Sequence, residues 1–294
     1  MIYWENDSFL FSTGLPLKTI SELLVNSLNE TELKKALNLL GKKYLFRYET
    51  IKEYYSLSKQ GLQKLPIIII IAGIPGIGKT ALAKEISIAL NISLVIGGDA
   101  LRSAIRSLLP KESSEVFFTS IYNTWKFYGE NTSDNLLLGY KDQSKIMNQA
   151  IERMIADRGI RDGESLIVEY LQFIPSQFDN DLLKHPSIIP IILRINDTQI
   201  YHQRLQTRSN YSHLRSSGER LISNIDKYLL LQENLCNEAS KYNLSIIDID
   251  DFSKGYDQTL DIIINQISYL NKLKKYNKRL TYIENLEEER RIIE

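Results

Sequence analysis

The amino-acid sequence predicts an α/β fold: a doubly wound, parallel five-stranded core with a helical lid, a small helical N-terminal appendage and a C-terminal helix. Three observations carry this prediction. Short apolar runs alternate with longer segments of helical periodicity, which is the pattern of a parallel sheet covered by helices on both faces. The first run, residues 67–72, leads at once into a glycine-rich loop. An arginine-rich stretch, residues 196–220, precedes the last run and is typical of a segment that closes over a cleft.

Composition limits the class of protein. The 294 residues are 43% hydrophobic and 24% charged, as in a globular protein with its own core. The 36 basic and 36 acidic residues cancel, which disfavours nucleic-acid binding through a basic surface but does not exclude a local patch. The single cysteine, Cys236, excludes an internal disulfide. We see no signal peptide and no apolar run of membrane length, so the sequence predicts a soluble cytoplasmic protein.

The loop after the first strand matches the phosphate-binding pattern G-x-x-x-x-G-K-[ST]. Its glycines let backbone N–H groups turn toward a phosphate, and the helix that follows adds its partial positive charge. The pattern predicts an ATP or GTP site with Mg²⁺, in which Lys79 reaches the β- and γ-phosphates and the Thr80 hydroxyl binds the metal. A chance glycine-rich turn is the alternative, and the flanking strand and helix disfavour it. The predicted nucleotide-binding residues are Gly73, Pro75, Gly76, Ile77, Gly78, Lys79, Thr80 and Ala81.

The N-terminal part, residues 1–64, is predicted to be a helical appendage to the α/β core at residues 65–270. Two apolar stripes at helical spacing precede Gly41, which is expected to end the second helix. The aromatic-rich stretch 44–55 is predicted to pack the appendage on the core, with a regulatory or substrate-side role as the alternative. Residues 271–294 are highly charged and are predicted to form a solvated helix or tail.

Four further strands follow the first one. They are predicted at residues 92–96, 165–170, 187–195 and 244–249. Pro190 lies inside the fourth and predicts a bulge or an edge position, because proline cannot donate to a strand ladder. The intervening segments have the apolar spacing of helices.

The residues after the second strand suit an acceptor site. Asp99 begins a helix predicted over residues 100–109, so it is either the N-cap or an acid that points into the cleft beyond the strand ends. A capping-box glutamate is missing three residues later, which favours the second role. Arg102 and Arg106 share a helix face and form either an anion clamp or a solvated surface. Lys111 lies just beyond this helix.

Two further sets of residues suit phosphoryl transfer. Glu169 ends the third strand, where it can hold the water shell of Mg²⁺ or polarise the attacking group, unless it is an edge carboxylate facing solvent. Arg204 and Arg208 share a face in the arginine-rich stretch and are predicted to neutralise charge on the transferred group, with a polar surface helix pair as the alternative. The predicted catalytic residues are Lys79, Asp99, Arg204 and Arg208, and the predicted metal ligands are Thr80 and Glu169.

The order of these motifs resembles the archaeal 2-phosphoglycerate kinase family, P-loop kinases of the nucleoside-monophosphate-kinase type. The matching stretches are Phe11-Ser12-x-Gly14, GIPGIGKTALA at 73–83, GGDALRSAIR at 97–106, Glu112-Ser113-Ser114, IVEYLQFIP at 167–175 and LRINDTQIYHQRLQTRS at 193–209. The resemblance implies transfer of the ATP γ-phosphoryl group to a hydroxyl of 2-phosphoglycerate or a similar phosphorylated or carboxylated acceptor. It also implies that Asp99, Arg102 and Arg106 lie on the acceptor side. Lys111 and Gln172 stand where the family tends to have histidines, and we assign them to the same side.

Two other functions compete with a small-molecule kinase. A kinase acting on a nucleic-acid end or a nucleoside shares the same phosphate cradle, but zero net charge disfavours an RNA or DNA partner. A nucleotide-binding regulator would bind ATP without transferring its phosphoryl group to an acceptor.

Overall fold

The predicted strands form one sheet in which all neighbouring strands are parallel, in the order β2-β3-β1-β4-β5. A computed structural model describes residues 6–26, 28–208 and 218–273. The strands are β1 Ile68–Ala72, β2 Leu94–Gly97, β3 Leu166–Tyr170, β4 Ile188–Arg194 and β5 Ser245–Asp248. All five predicted strands are confirmed, and the doubly wound class with them.

Helices separate successive strands, as parallel pairing requires. The α-helices are α1 Leu17–Val25, α2 Glu30–Leu40, α3 Lys42–Lys59, α4 Lys79–Leu90, α5 Gly98–Leu108, α6 Glu115–Phe118, α7 Ser133–Met154, α8 Asn180–Leu183, α9 Thr198–Thr207, α10 Glu219–Ile222, α11 Ile225–Lys241 and α12 Phe252–Lys272. Short 3₁₀ segments lie at Asn6–Thr13 and Ile121–Phe127, and α7 continues into a π-helical segment, Ile155–Arg161. Within the described residues, no helix combines the length and the apolar content needed to cross a membrane.

Strand β1 lies at the centre of the sheet, and every one of its side chains is buried. Successive side chains of a strand point to opposite faces. Ile69 and Ile71 accordingly belong to one apolar cluster with α3, α4 and α12, whereas Ile68 and Ile70 belong to a second cluster with α7. A strand with apolar layers on both faces has no polar side, which is why its sequence is an uninterrupted apolar run.

Pro190 does not place β4 at an edge, because β4 lies between β1 and β5. Of the two expectations, a bulge or an edge position, the edge position was therefore wrong, but the physical reason for it holds locally. Pairing with β5 begins only at Ile191. The carbonyl of Ser187 accepts a hydrogen bond from the backbone N–H of Ile68 in β1. Backbone groups of successive residues face opposite sides of a strand, so Ser187 faces β1, whereas Pro190, three residues later, faces away from β1. The missing N–H thus falls where no neighbouring strand needs it.

The N-terminal helices share a core with the sheet. Leu37, Tyr48 and Ile51 are fully buried in the same apolar cluster as Ile69 of β1. The aromatic stretch therefore packs on the core, as predicted. Gly41 lies between α2 and α3 with a φ of +151°, a value that side chains larger than hydrogen rarely adopt, and it ends α2 as expected. Residues 274–294 of the predicted charged tail lie outside the described residues.

A buried arginine ties α3 to α12. Arg47 is inaccessible to solvent, and its guanidinium donates to Asp257 at 2.8 Å, to Asp261 at 2.7 Å and to the Thr13 carbonyl at 2.8 Å. We expect Arg47→Met to lower the free energy of unfolding by about 2–3 kcal/mol, because removing one partner leaves the others unsatisfied. Both carboxylates keep contact with solvent, so the decrease in the free energy of unfolding should be smaller than for breaking a fully buried ion pair.

Urea unfolding followed by circular dichroism measures this effect. The matched control is Arg158→Met, which removes an exposed arginine paired with Glu164 and should change stability by less than about 1 kcal/mol. Equal unfolding midpoints for the two variants would contradict a stabilising role for Arg47.

Candidate functional site

The phosphate-binding loop joins the end of β1 to the start of α4, at the carboxyl edge of the sheet. Gly76 and Gly78 have φ values of +79° and +109°, in the left-handed region that only glycine adopts readily. A Cβ atom on Gly76 would also lie 2.4 Å from Cδ2 of Leu205, so α9 packs directly over the loop. The Tyr201 hydroxyl, one turn earlier in α9, donates to the Pro75 carbonyl at 3.0 Å. Helix α9 therefore holds the loop from outside.

Lys79 and Thr80 occupy the first turn of α4, as the motif predicts. The Lys79 ammonium donates to the Ile74 carbonyl within the loop at 3.0 Å. Burial lowers the pKa of Lys79, whereas the carboxylates of Glu169 and Asp99 oppose that shift by favouring the charged form. A half-buried cation at this position attracts any phosphate that enters the loop, since partial burial reduces the screening of its charge by water.

Glu169 lies beside Thr80, which places both predicted metal ligands together. The Thr80 hydroxyl donates to Oε1 of Glu169 at 3.0 Å. Burial raises the pKa of Glu169, and Lys79 and the Thr80 hydrogen bond counteract the shift. Hydroxyl and carboxylate oxygens suit Mg²⁺, which takes few protein ligands when it also binds phosphates. No cluster of three or more His, Cys, Asp or Glu side chains is placed to hold a metal in the described residues, so the ion would rely on this pair and the nucleotide.

Asp99 is the second residue of α5, not its N-cap. Gly97 occupies the cap position and Gly98 the first helical position, so the capping alternative for Asp99 was wrong. A Cβ atom on Gly98 would lie 2.3 Å from Cβ of Tyr170, so α5 approaches β3 more closely than any other residue type allows. The exposed Asp99 carboxylate interacts electrostatically with Lys79 and lies at the cleft, as the sequence favoured.

Arg102 and Arg106 are half-buried and do not form a solvated helix face. Arg102 donates to the carbonyls of Phe117 and Thr119 at 2.9 and 2.6 Å, and Arg106 donates to the same two carbonyls. Neither guanidinium forms an ion pair among the described residues, and Nε of Arg102 is buried without a partner. Burial, followed by repulsion from Arg106, lowers the pKa of Arg102 to about 10. The two arginines thus order residues 117–119 and still carry uncompensated positive charge.

Lys111 and Gln172 occupy different environments. Lys111 is exposed in a short 3₁₀ turn after α5. Gln172 is buried, and its amide nitrogen lies 3.5 Å from Oε1 of Gln143. Gln143 in turn donates to the Thr119 carbonyl that Arg102 and Arg106 contact. Gln172 is therefore packed against Gln143, and its assignment to the acceptor side stays a prediction.

Arg204 fastens the phosphate-binding loop to the end of the sheet. Its guanidinium donates to the Ile77 carbonyl at 3.0 Å and to the Ile249 and Asp250 carbonyls at 2.7 and 2.9 Å. It is half-buried, and carbonyl groups take up its donors, so we describe it as a positioning residue. Its predicted catalytic role stays a prediction. Arg208 follows α9 and interacts electrostatically with Lys79, which fits the predicted role beside the phosphates. Residues 209–217 of the predicted lid lie outside the described residues.

Sequence reasoning missed two tyrosines of this site. Tyr201 supports the phosphate-binding loop, and Tyr228 of α11 interacts electrostatically with Asp99, Arg208 and Arg220. Both belong to the apolar stripes of their helices, so their spacing predicts core residues and carries no sign of a site.

Comparison with known proteins gives relatives that are kinases. The chain is 34% identical over 194 residues to mevalonate-3-phosphate 5-kinase from Thermoplasma acidophilum, a match covering 66% of this chain and 94% of that protein. It is 27% identical over 269 residues to 2-phosphoglycerate kinase from Methanopyrus kandleri, covering 91% and 80%. No family profile matches. Among solved structures, a gluconokinase from Sinorhizobium meliloti aligns with a TM-score of 0.38 and 15% identity, covering 71% of this chain and 95% of that one.

Proposed function

The chain belongs to the 2-phosphoglycerate kinase family, with mevalonate-3-phosphate 5-kinase among its relatives, and we propose that it phosphorylates a small acceptor that already carries an anionic group. It is a small-molecule kinase. The proposal concerns the acceptor: a molecule with a phosphate ester, a carboxylate and a free primary hydroxyl. Both 2-phosphoglycerate and mevalonate 3-phosphate have these three groups, and they are the first candidates.

The observation that carries the proposal is the charge at the start of α5. Arg102 and Arg106 form no ion pair among the described residues, and Asp99 is the acid that interacts electrostatically with both. Two half-buried cations that lack a carboxylate partner are unfavourable in the free protein. An anionic acceptor supplies the missing charge, whereas a neutral nucleoside does not.

Each residue of the cleft has its own role in phosphoryl transfer. Lys79 and Arg208 offset negative charge on the transferring phosphoryl group, which is where most of the catalysis of this reaction arises. Thr80 and Glu169 would hold Mg²⁺, which would supply positive charge to offset the negative charge of the phosphates. Asp99 accepts the proton of the acceptor hydroxyl. Arg204 and Tyr201 keep the loop in the conformation that binds ATP.

An acceptor panel with γ-labelled ATP and Mg²⁺ tests the proposal. The panel contains 2-phosphoglycerate, mevalonate 3-phosphate, their unphosphorylated counterparts, a neutral nucleoside and a 5′-hydroxyl RNA. We expect labelled product only with acceptors that carry a phosphate or carboxylate. Equal or better turnover of the nucleoside or the RNA would overturn the proposed acceptor class, and ATP binding with no transfer to any acceptor would favour a regulator.

Replacing Arg106 separates acceptor binding from nucleotide binding. Arg106→Ala is expected to raise the acceptor KM by tenfold or more and to leave the KM for ATP nearly unchanged, because a charge-assisted contact contributes roughly 1.5–3 kcal/mol. Arg106→Lys keeps the charge and should retain part of the affinity. Steady-state kinetics of both variants give the measurement.

Arg106 also orders residues 117–119, so thermal unfolding of each variant is measured in parallel. Arg158→Ala, which removes an exposed arginine away from the cleft, is the matched control. An Arg106→Ala variant with normal acceptor KM would show that this arginine serves structure alone.

A further inference from the structure

The hydroxyl of Tyr228 has no hydrogen-bond partner among the described residues, although its ring is buried. Three other buried tyrosines donate to the main chain: Tyr54 to the Leu65 carbonyl, Tyr140 to the Leu171 carbonyl and Tyr201 to the Pro75 carbonyl. A buried phenol usually finds a partner, because leaving it unpaired costs free energy. Tyr228 therefore differs from these three tyrosines, because its hydroxyl can still donate a hydrogen bond to a ligand.

The position of Tyr228 is fixed by the residues around it. It lies in the first turns of α11, and its ring meets the ring of Tyr122 edge to face, with centroids 6.2 Å apart. The neighbouring Lys227 donates to the Tyr122 carbonyl at 3.0 Å, which fastens α11 to the 3₁₀ segment Ile121–Phe127. The side chain thus has little freedom to turn toward another protein group.

The phenol of Tyr228 interacts electrostatically with charged groups of the cleft. It lies within electrostatic range of Asp99 and Arg102 on α5, of Arg208 after α9 and of Arg220 on α10. It is also absent from the buried polar atoms that lack a partner, so the oxygen keeps contact with solvent. Burial of the ring raises the pKa of Tyr228 well above its ordinary value, and the phenol stays protonated. The group is therefore a neutral hydrogen-bond donor that interacts electrostatically with Arg208 and Arg220 and with Asp99, the proposed proton acceptor.

We propose that Tyr228 is an acceptor-binding residue whose hydroxyl donates a hydrogen bond to the phosphate or carboxylate of the acceptor, between α5 and α11. This inference rests on the proposed function and extends it to an element far from the sequence motifs. An arginine alone attracts any anion, whereas a phenol held by Tyr122 adds a donor in one fixed place. Tyr228 thereby contributes to the selectivity of the site among anionic acceptors.

Tyr228→Phe tests the inference, because it removes only the hydroxyl and keeps the buried ring. The substrate is whichever of 2-phosphoglycerate and mevalonate 3-phosphate the parent protein phosphorylates. We expect the acceptor KM to rise about tenfold or more, as for loss of a hydrogen bond to a charged group, while the KM for ATP and the melting temperature stay near parent values.

Two further variants make the result specific. Tyr256→Phe removes a hydroxyl from a tyrosine that packs near Gly14 in the N-terminal layer, and it should change neither KM. Tyr201→Phe removes the hydroxyl that contacts the Pro75 carbonyl, and it should act on the KM for ATP. An acceptor KM for Tyr228→Phe within about twofold of the parent would overturn the inference.

A binding measurement separates this inference from the proposed function. The nucleotide site is saturated with a non-hydrolysable ATP analogue and Mg²⁺, and inorganic phosphate is titrated by calorimetry into the parent and Tyr228→Phe. We expect the dissociation constant for phosphate to rise about tenfold in the variant. If the parent phosphorylates neither acceptor, the proposed acceptor class fails, and this titration alone decides the role of Tyr228. Equal phosphate binding by both proteins, or no binding by the parent, overturns that role.

Discussion

Replacing Lys79 by alanine is expected to reduce phosphoryl transfer on the order of 10³-fold or more, the largest effect of any single change in this protein. The ammonium of the half-buried Lys79 lies in the phosphate-binding loop, where partial burial weakens the screening of its charge on the phosphates. The variant loses one hydrogen bond, to the Ile74 carbonyl, and its stability should change by about 1 kcal/mol at most. Turnover at saturating ATP and the unfolding midpoint are the two measurements.

Lys84→Ala is the matched control for this change. Lys84 lies on the same helix, α4, and is exposed to solvent, so its removal should leave turnover unchanged. Near-normal turnover of Lys79→Ala, with the parent's dependence on ATP, would contradict the assignment of the loop as the ATP site.

Asp99→Asn is expected to lower kcat by 10²-fold or more, because asparagine cannot accept the proton of the acceptor hydroxyl. Asp99 is not the N-cap of α5, so the substitution removes no capping bond. It removes the favourable interaction of an acid with the first turn of a helix, which contributes about 0.3–1 kcal/mol. It also removes the solvent-screened attraction of the exposed carboxylate to Lys79, Arg102 and Arg106. Kinetics at saturating ATP and acceptor therefore report on chemistry, and a thermal melt reports on the small stability change.

Asp134→Asn offers a close structural control for that experiment. Asp134 is also the second residue of a helix, α7, and its side chain is likewise exposed. The two variants should have similar melting temperatures but very different turnover. Similar turnover for both would leave Asp99 with an effect on helix stability and none on proton transfer.

The sequence alone predicted the fold and the nucleotide side of the cleft. The five strands, the phosphate-binding loop and the helix after it follow from patterns within short stretches, since burial on both faces gives an apolar run and a left-handed turn needs glycine. The pairing of Thr80 with Glu169 follows from the same logic: neighbouring parallel strands end at one edge of the sheet.

Tertiary structure decided which polar groups are already satisfied and which are left for a ligand. Arg204 has the spacing of a phosphate-binding arginine, yet carbonyls from two distant loops take up its donors. Gln172 follows a strand that ends at the cleft, yet it is buried against Gln143 of α7. Tyr228 has the spacing of a core residue, yet its hydroxyl makes no hydrogen bond within the described residues and interacts electrostatically with Asp99. A periodic pattern shows on which face of its own element a side chain lies. The partners of its polar atoms come from elements far away in the chain, so only the folded arrangement determines them.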